Sequence, residues 1–185
     1  MNPAHDLSSY LLSDSALESR LLRSWPNGGK YGHHYEHSAP SSAPAADINL
    51  VIANDYNGLN AGVFALRRSK WTDMLLDLWF DELYMEKDWP GKEQDALIWM
   101  MDKHEHIWKH VGFVDQHVLN AYYSWPDSLT DLEHDPWQGL YQEGDLLVHL
   151  AGCWVQDECE PHWTTMWERR KKLPEHLLKS ERKFP

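Results

Sequence analysis

Short apolar runs that end in polar residues alternate along this chain with segments of helical periodicity, and this alternation limits the possible folds. The runs INLVIAND (48–55), VFALRR (63–68), VGFV (111–114) and LLVHLAG (146–152) predict four strands. Because helical segments separate them, we expect an α/β sheet. Four strands are few for a complete doubly wound domain.

The helical segments have recognisable starts. Residues 3–23 predict two short helices, the second capped near Ser13. SKWTDMLLDLWFDELYMEKDW (69–89) predicts one helix that begins at Ser69, and KEQDALIWMMDKH (92–104) predicts another. Residues 158–185 predict a C-terminal helical segment that is interrupted near Pro174.

Residues 25–47 are rich in Gly, Pro, Ser and His and lack periodicity, which predicts a flexible loop. His33, His34 and His37 are close enough in sequence to share a metal ion. We favour a solvated loop, since no carboxylate or cysteine at a clear ligand spacing accompanies them.

Composition indicates one globular domain. The chain has 185 residues, 42% of them hydrophobic, and a net charge of -12. Its basic residues are concentrated in the last twenty positions and form no stripe elsewhere, which argues against a nucleic-acid partner. No apolar run approaches the length of a membrane span, and the first residues do not resemble a signal peptide. We expect any targeting segment to lie outside this sequence.

Polar residues cluster where the apolar runs end, the usual place for a ligand in an α/β sheet. NDYNGLNAG (54–62) offers amides and glycines to a ligand, or is simply a hairpin turn. GKEQDA (91–96) places Glu93, Gln94 and Asp95 at a helix start, where they bind a ligand or cap the helix. In LLVHLAGC, His149 taken alone is more easily explained as a core histidine than as a metal ligand.

The order of these segments is more specific than any one of them. NDYNGLNAGVFALRRSKW, GKEQDALIWMM, VGFVDQHVLNAYY and Y-x-x-GDLLVHLAGC follow one another and together resemble glycosyltransferase family 34. This family contains fungal Golgi galactosyl- and mannosyltransferases, and plant xyloglucan xylosyltransferases are related to it. The resemblance covers about residues 48–160 and is closest to the fungal branch.

The resemblance implies the C-terminal part of a GT-A (Rossmann-like) domain that binds a nucleotide sugar and Mn²⁺. It implies that His149 is a metal ligand and that Gly152 lies beside the phosphates. Further residues are implied to contact the donor sugar, with Gln94 beside the anomeric carbon. These donor-sugar residues are Asp55, Asn60, Ala61, Gly62, Glu93 and Gln94.

Two features depart from the family pattern. Asp-x-Asp does not occur in this sequence, so we expect it, and the rest of the nucleotide-binding strands, to precede Met1. Trp154 stands where the plant relatives carry a lysine, so a phosphate contact at that position is not expected. A Cys153–Cys159 disulfide would fit an oxidising lumen.

We therefore expect a retaining hexosyltransferase in protein glycosylation that moves galactose or mannose from UDP-galactose or GDP-mannose to a mannose-containing glycan. The full-length protein would be a type II membrane protein of the Golgi lumen, in complex with related transferases. The alternative is a catalytically inactive fragment or a non-catalytic subunit of a transferase complex. A glycosidase is disfavoured, because two well-separated carboxylates for an acid–base pair are not evident.

Overall fold

A three-stranded mixed sheet lies at the centre of the computed structural model, which describes residues 6–25, 35–123, 139–155 and 157–171. Its strands are β1 (Leu50–Asp55), β2 (Gly58–Leu66) and β3 (Val111–Val114), in the order β2-β1-β3. β1 pairs antiparallel with β2 and parallel with β3. The mixed α/β class predicted from the sequence is confirmed.

Helices surround this sheet. They are α1 (Asp14–Glu18), α2 (Lys70–Trp79), α3 (Glu82–Met85), α4 (Glu93–Lys103), α5 (Glu105–Trp108), α6 (Gln116–Leu119) and α7 (Cys159–Lys171). A π-helical turn spans Ser8–Leu12, and 3₁₀ turns span Ala45–Asp47 and Cys153–Val155.

The segment 69–89 forms two helices, so the prediction of one helix was wrong. Ser69 does cap α2, since its side chain accepts a hydrogen bond from the Thr72 N–H. α2 then ends at Trp79, and Asp81 caps α3 by accepting from the Leu83 N–H. An aspartate cap starts a new helix because it satisfies a backbone donor that has no partner inside the helix.

The strand predicted for residues 146–152 was also wrong. Within the described residues this segment pairs only through an isolated parallel bridge between His149 and Tyr122. Burial explains part of its apolar sequence, since Leu146 is almost fully buried. Burial without a continuous hydrogen-bonded ladder does not produce a strand.

Both faces of the sheet are covered, and this explains the continuous apolar run of β1. Leu50 and Ile52 point into a core formed with α2, α4, α5 and Phe113. Val51 and Ala53 alternate with them and point into a second core formed with α1 and α6. All the buried tryptophans among the described residues belong to the first core: Trp25, Trp71, Trp79 and Trp108.

The region 25–47 is irregular in its described part, as predicted, apart from the Ala45–Asp47 turn. It is nevertheless held on the sheet: the Tyr35 hydroxyl donates to Asn54 Oδ1 at 2.8 Å, and Ser41 Oγ donates to the Lys109 carbonyl at 2.9 Å. The flexibility of this loop stays a prediction. His33 and His34, like Pro174 and the C-terminal residues 172–185, lie outside the described residues.

Candidate active site

The candidate site lies at one edge of the sheet. β1 and β3 are parallel, so their carboxyl ends meet at this edge, and β2 begins there after a turn at Tyr56 and Asn57. Ligands commonly bind at such an edge in α/β sheets. Asp55 ends β1, Asn60 follows it across the turn, and Tyr122 comes after β3.

A bulge interrupts β2 at the residues that the family resemblance implies contact the donor sugar. Val51 pairs with Ala65, whereas Ala53 pairs with Asn60, so residues 61–64 have no partners in the ladder. A bulge bends the strand locally and leaves backbone groups that need other hydrogen-bond partners.

Three side chains supply those partners. Gln94 Oε1 accepts from the Ala61 N–H at 2.7 Å, and Asn60 Oδ1 accepts from the Gly62 N–H at 2.9 Å. Asn120 Nδ2 donates to the Asn60 carbonyl at 3.3 Å and to the Val63 carbonyl at 2.9 Å. The shape of the bulge is therefore fixed by side chains from β2, α4 and the segment after α6.

Asp55 is buried at the centre of a polar network. Its carboxylate accepts from the Asn57 N–H at 2.6 Å, from Asn60 Nδ2 at 2.9 Å and from the Tyr122 hydroxyl. Burial raises the pKa of Asp55, while these three hydrogen bonds and His149 oppose the rise. Burial and the Asp55 charge likewise raise the pKa of the Tyr122 hydroxyl, which therefore stays protonated as a donor.

His149 lies directly against the bulge. A Cβ placed on Gly62 would come within 2.2 Å of His149 Cε1 and 2.6 Å of Nε2. The backbone N–H of His149 donates to the Ala121 carbonyl at 2.6 Å, and the His149 ring packs edge-to-face on Tyr122 at a centroid distance of 5.9 Å. Only glycine at position 62 leaves room for this imidazole.

The chemistry of His149 suits a metal ligand. Burial lowers its pKa, against an opposing effect of Asp55, and a neutral imidazole is the form that binds a cation. Its Nδ1 is buried and has no hydrogen-bond partner among the described residues. No group of three His, Cys, Asp or Glu side chains in the described residues could hold a metal. His149 is therefore the candidate ligand in this part of the chain, and its binding of Mn²⁺ stays a prediction.

The start of α4 shows the capping role considered for GKEQDA, whereas the ligand-binding role stays a prediction. Asp95 Oδ2 accepts from the Gly91 N–H at 2.7 Å, which stabilises the start of the helix. Gln94 instead reaches β2, and its NH₂ group has no acceptor within the described residues. Glu93 is exposed, and its side chain makes no hydrogen bond to the other candidate residues. Lys92 has a φ of 54°, a strained conformation of the kind often found at functional sites.

Gly152 and the two cysteines lie just beyond His149. Gly152 has a φ of 73°, which favours glycine, and a Cβ there would meet nothing within 4 Å. Cys153 and Cys159 form a disulfide, so the first residue of α7 is tied to the turn after Gly152. Trp154, between them, is exposed.

The structure brings most of the predicted site residues together. The gathered residues are Asp55, Asn60, Ala61, Gly62, Gln94 and His149. Glu93 and Gly152 lie close to this group in sequence, and the Glu93 side chain makes no hydrogen bond to it. Asn120 and Tyr122 contact it but were not predicted, although both fall in the segment VGFVDQHVLNAYY that carries the family resemblance.

Comparison with known proteins identifies the class. The model of the galactosyl transferase GMA12/MNN10 family matches residues 1–160, and the chain belongs to this family, which is glycosyltransferase family 34.

Several curated relatives come from yeasts. The chain is 32% identical over 167 residues to a probable alpha-1,2-galactosyltransferase, gmh1, of Schizosaccharomyces pombe, covering 89% of this chain and 48% of the relative. It is 38% identical over 160 residues to an uncharacterized alpha-1,2-galactosyltransferase, C1289.13c, of the same yeast, covering 86% and 40%. It is 30% identical over 131 residues to a probable alpha-1,6-mannosyltransferase, MNN10, of Saccharomyces cerevisiae, covering 66% and 33%.

The chain spans at most about half the length of these relatives. No solved structure matches it. Within the described residues, no helix has the length and apolar character needed to cross a membrane.

Proposed function

We propose that the protein is a retaining hexosyltransferase that transfers galactose or mannose from UDP-galactose or GDP-mannose to a mannose-containing glycan. The observation that carries this proposal is the contact of the β2 bulge with both Gln94 and His149 at one edge of the sheet. Relatives named as galactosyl- and mannosyltransferases support the same class of reaction.

The bulge suits a sugar, because an exposed glycine gives close access to the backbone and polar groups surround it. Gly62 is exposed and Ala61 half-buried, whereas Asn60 beneath them is buried and held by Asp55. In this proposal the bulge forms the wall of the donor-sugar site, and the exposed carboxylate of Glu93 accepts hydrogen bonds from sugar hydroxyls.

Gln94 has the leading catalytic role. Its carbonyl oxygen accepts from the Ala61 N–H and keeps a second lone pair for the reacting carbon, while its NH₂ group is left to donate to the departing diphosphate or to a sugar hydroxyl. A carboxamide is a poor covalent nucleophile, so we favour transfer through a short-lived ion pair on one face of the sugar over a double displacement. The carbonyl oxygen, which is the negative end of the amide dipole, then stabilises an oxocarbenium-like sugar.

His149 would hold the Mn²⁺ ion together with aspartates that we place upstream of Met1. When bound, the ion supplies positive charge against the leaving diphosphate. The chain itself contributes in two ways: burial lowers the pKa of His149 and so keeps its imidazole neutral, and the backbone N–H of His149 is held by the Ala121 carbonyl.

The test is turnover of UDP-galactose and GDP-mannose, with and without Mn²⁺, by the protein expressed from its complete reading frame. We expect Mn²⁺-dependent transfer with one donor, lost in His149→Ala and retained in His106→Ala, which changes an exposed histidine on α5. No turnover with either donor would refute the proposal.

A non-catalytic subunit is the second candidate, because Asp-x-Asp does not occur in the 185 residues. The reading frame immediately before Met1 separates the two candidates. An open frame that encodes Asp-x-Asp and a membrane anchor supports the enzyme, and a stop codon supports the subunit.

We also propose that this region works in the Golgi lumen, as part of a type II membrane protein in complex with related transferases. The Cys153–Cys159 disulfide supports an oxidising compartment. In sealed Golgi vesicles the region should resist added protease until detergent is present, and cleavage without detergent would contradict this placement. Co-purification of a tagged protein with a second family member tests the complex.

A further inference from the structure

Three consecutive residues after α6 each contact a different part of the candidate site. Asn120, Ala121 and Tyr122 are all buried, although they belong to no helix and form no continuous strand. Resting on the function proposed above, we propose that Asn120 and Tyr122 are positioning residues, which hold the β2 bulge and His149 in one arrangement.

Asn120 supports the bulge from beneath. Its Nδ2 donates to the carbonyls of Asn60 and Val63, so one amide spans the stretch that contains Ala61 and Gly62. Its Oδ1 is buried without a partner among the described residues, which is unfavourable for stability. A residue that served stability alone would avoid this cost. The two hydrogen bonds that Asn120 Nδ2 donates to the bulge therefore explain why an asparagine occupies this position.

Tyr122 supports the same strand through Asp55. Its hydroxyl donates to the Asp55 carboxylate and lies 3.3 Å from Asn60 Nδ2, and Asn60 in turn binds the Gly62 N–H. Hydrogen bonds thus connect Tyr122 to Asp55, Asp55 to Asn60 and Asn60 to the Gly62 backbone. Loss of the Tyr122 hydroxyl removes the first bond of this series.

The same segment fixes His149. The Ala121 carbonyl accepts from the backbone N–H of His149 at 2.6 Å, and the Tyr122 ring packs edge-to-face on the imidazole. The Tyr122 N–H donates to the Gly139 carbonyl at 2.7 Å, and its carbonyl accepts from the Tyr141 N–H at 2.8 Å. The segment is thereby anchored on its other side, and the sugar wall and the imidazole share one support.

Such a support matters because transfer needs reacting groups held within a fraction of an ångström. A small displacement of the bulge relative to His149 would leave donor binding nearly intact and misplace the sugar for reaction. The proposal therefore predicts a change in kcat that is larger than the change in KM.

The first test is amide hydrogen exchange of the unliganded protein, wild type against Tyr122→Phe. We expect faster exchange in residues 58–66 of the variant and no change in α2. Tyr84→Phe is the matched control, since Tyr84 is a half-buried tyrosine of α3 whose ring packs on Trp99 at 5.7 Å. Unchanged exchange in residues 58–66 would overturn the proposal.

The second test is kinetic and uses the donor that the wild-type protein turns over. We expect Tyr122→Phe to lower kcat by about tenfold or more while KM for the donor changes by less than about threefold. Asn120→Asp, which keeps the shape and replaces the donor group, should give the same split, and Tyr84→Phe should match the wild type. A Tyr122→Phe protein with wild-type kcat would overturn the proposal.

The two tests separate this inference from the proposed function. Absence of turnover in the wild type refutes the transferase, whereas hydrogen exchange in the unliganded protein still decides whether Tyr122 holds the bulge.

Discussion

Gly62 is the residue at which the site leaves least room for change. Its missing side chain makes space for the His149 ring. Its φ is not in the left-handed region, so the constraint on this position is the space for a side chain and not the backbone conformation. We expect Gly62→Ala to push the imidazole aside, to destabilise the fold by about 1–3 kcal/mol and to abolish transfer. Chemical denaturation and donor turnover measure the two effects.

The cause of this destabilisation can be isolated with a double-mutant cycle. If the added methyl group clashes with the imidazole, Gly62→Ala in a His149→Ala background should cost less than about 0.5 kcal/mol. An equal cost in both backgrounds would show that the alanine disturbs the backbone of the bulge and not the histidine.

Gln94 gives a prediction that separates structure from chemistry. Gln94→Ala removes the acceptor of the Ala61 N–H, and we expect it to lose about 1 kcal/mol of stability and most of kcat. Gln94→Glu keeps an acceptor oxygen for the Ala61 N–H and replaces the NH₂ donor with a carboxylate oxygen, so its stability should stay close to the wild type while kcat falls. Wild-type kcat in Gln94→Glu would show that the side chain serves only to support the bulge.

Single residues were predictable from the sequence where a local pattern exposed them. Asn60 follows the polar end of a strand and Gln94 begins a helix, so position made both candidates, and the ordered resemblance to the family singled them out. Asn120 and Tyr122 were missed because their importance comes from bonds to Asn60 and Asp55, which are 60 and 67 positions away. The turn-like sequence around them gives no local signal of those partners.

At the scale of elements, those with local causes were predicted best. β1 was predicted because both its faces are buried, and the start of α2 because Ser69 is a recognisable cap. The break between α2 and α3 was missed, although Asp81 is a cap of the same kind, because the apolar periodicity continues across it.

Two features of the sheet could not be read from the sequence. A strand needs a partner along its length, and LLVHLAG meets Tyr122 only at His149. The β2 bulge depends on whether its unpaired backbone groups find other partners, and those partners are the distant side chains of Gln94 and Asn120. The periodicity of apolar residues predicts which residues are buried, whereas both of these features depend on hydrogen bonds to residues distant in sequence.

The disulfide is the covalent link between α7 and the turn after Gly152. We expect replacing both cysteines by serine to lower the free energy of local unfolding of residues 153–171 by about 2 kcal/mol, since the closed loop is short. Hydrogen exchange of α7 measures this change, with α2 as the internal reference. A protein that shows no mass shift after reduction and alkylation would contradict the disulfide itself.

At the scale of the molecule, Glu18 joins the N-terminal helices to the rest of the fold. Its carboxylate accepts from the Ala45 N–H at 2.8 Å and pairs with Arg23. The Ala45 hydrogen bond and then Arg23 hold the pKa of Glu18 below its usual 4.5. The folded protein thus favours the ionised carboxylate, and this stabilisation is present above pH 4.5 and is lost as the pH falls through the lower, folded-state pKa.

We therefore expect Glu18→Gln to lower the melting temperature at pH 7 and to have a smaller effect in acid. Melting curves of wild type and variant, recorded at pH 7 and at several values below pH 4.5, measure this convergence. Glu86→Gln, which changes an exposed carboxylate after α3, is the control. A difference between wild type and Glu18→Gln that is independent of pH would contradict the assignment.

The hydrogen bonds that shape the β2 bulge also determine when in folding the site can form. Their partners are 33, 57, 60 and 67 positions apart in the chain, so each bond requires closure of a long loop. Contacts of this kind form late, after local helices and the β1–β2 hairpin. During synthesis the hairpin leaves the ribosome well before Tyr122, and Asp55 has neither the Tyr122 hydroxyl nor His149 beside it until that downstream sequence has been made. We therefore expect the β2 bulge, which we propose as the wall of the donor-sugar site, to take its final shape late in folding.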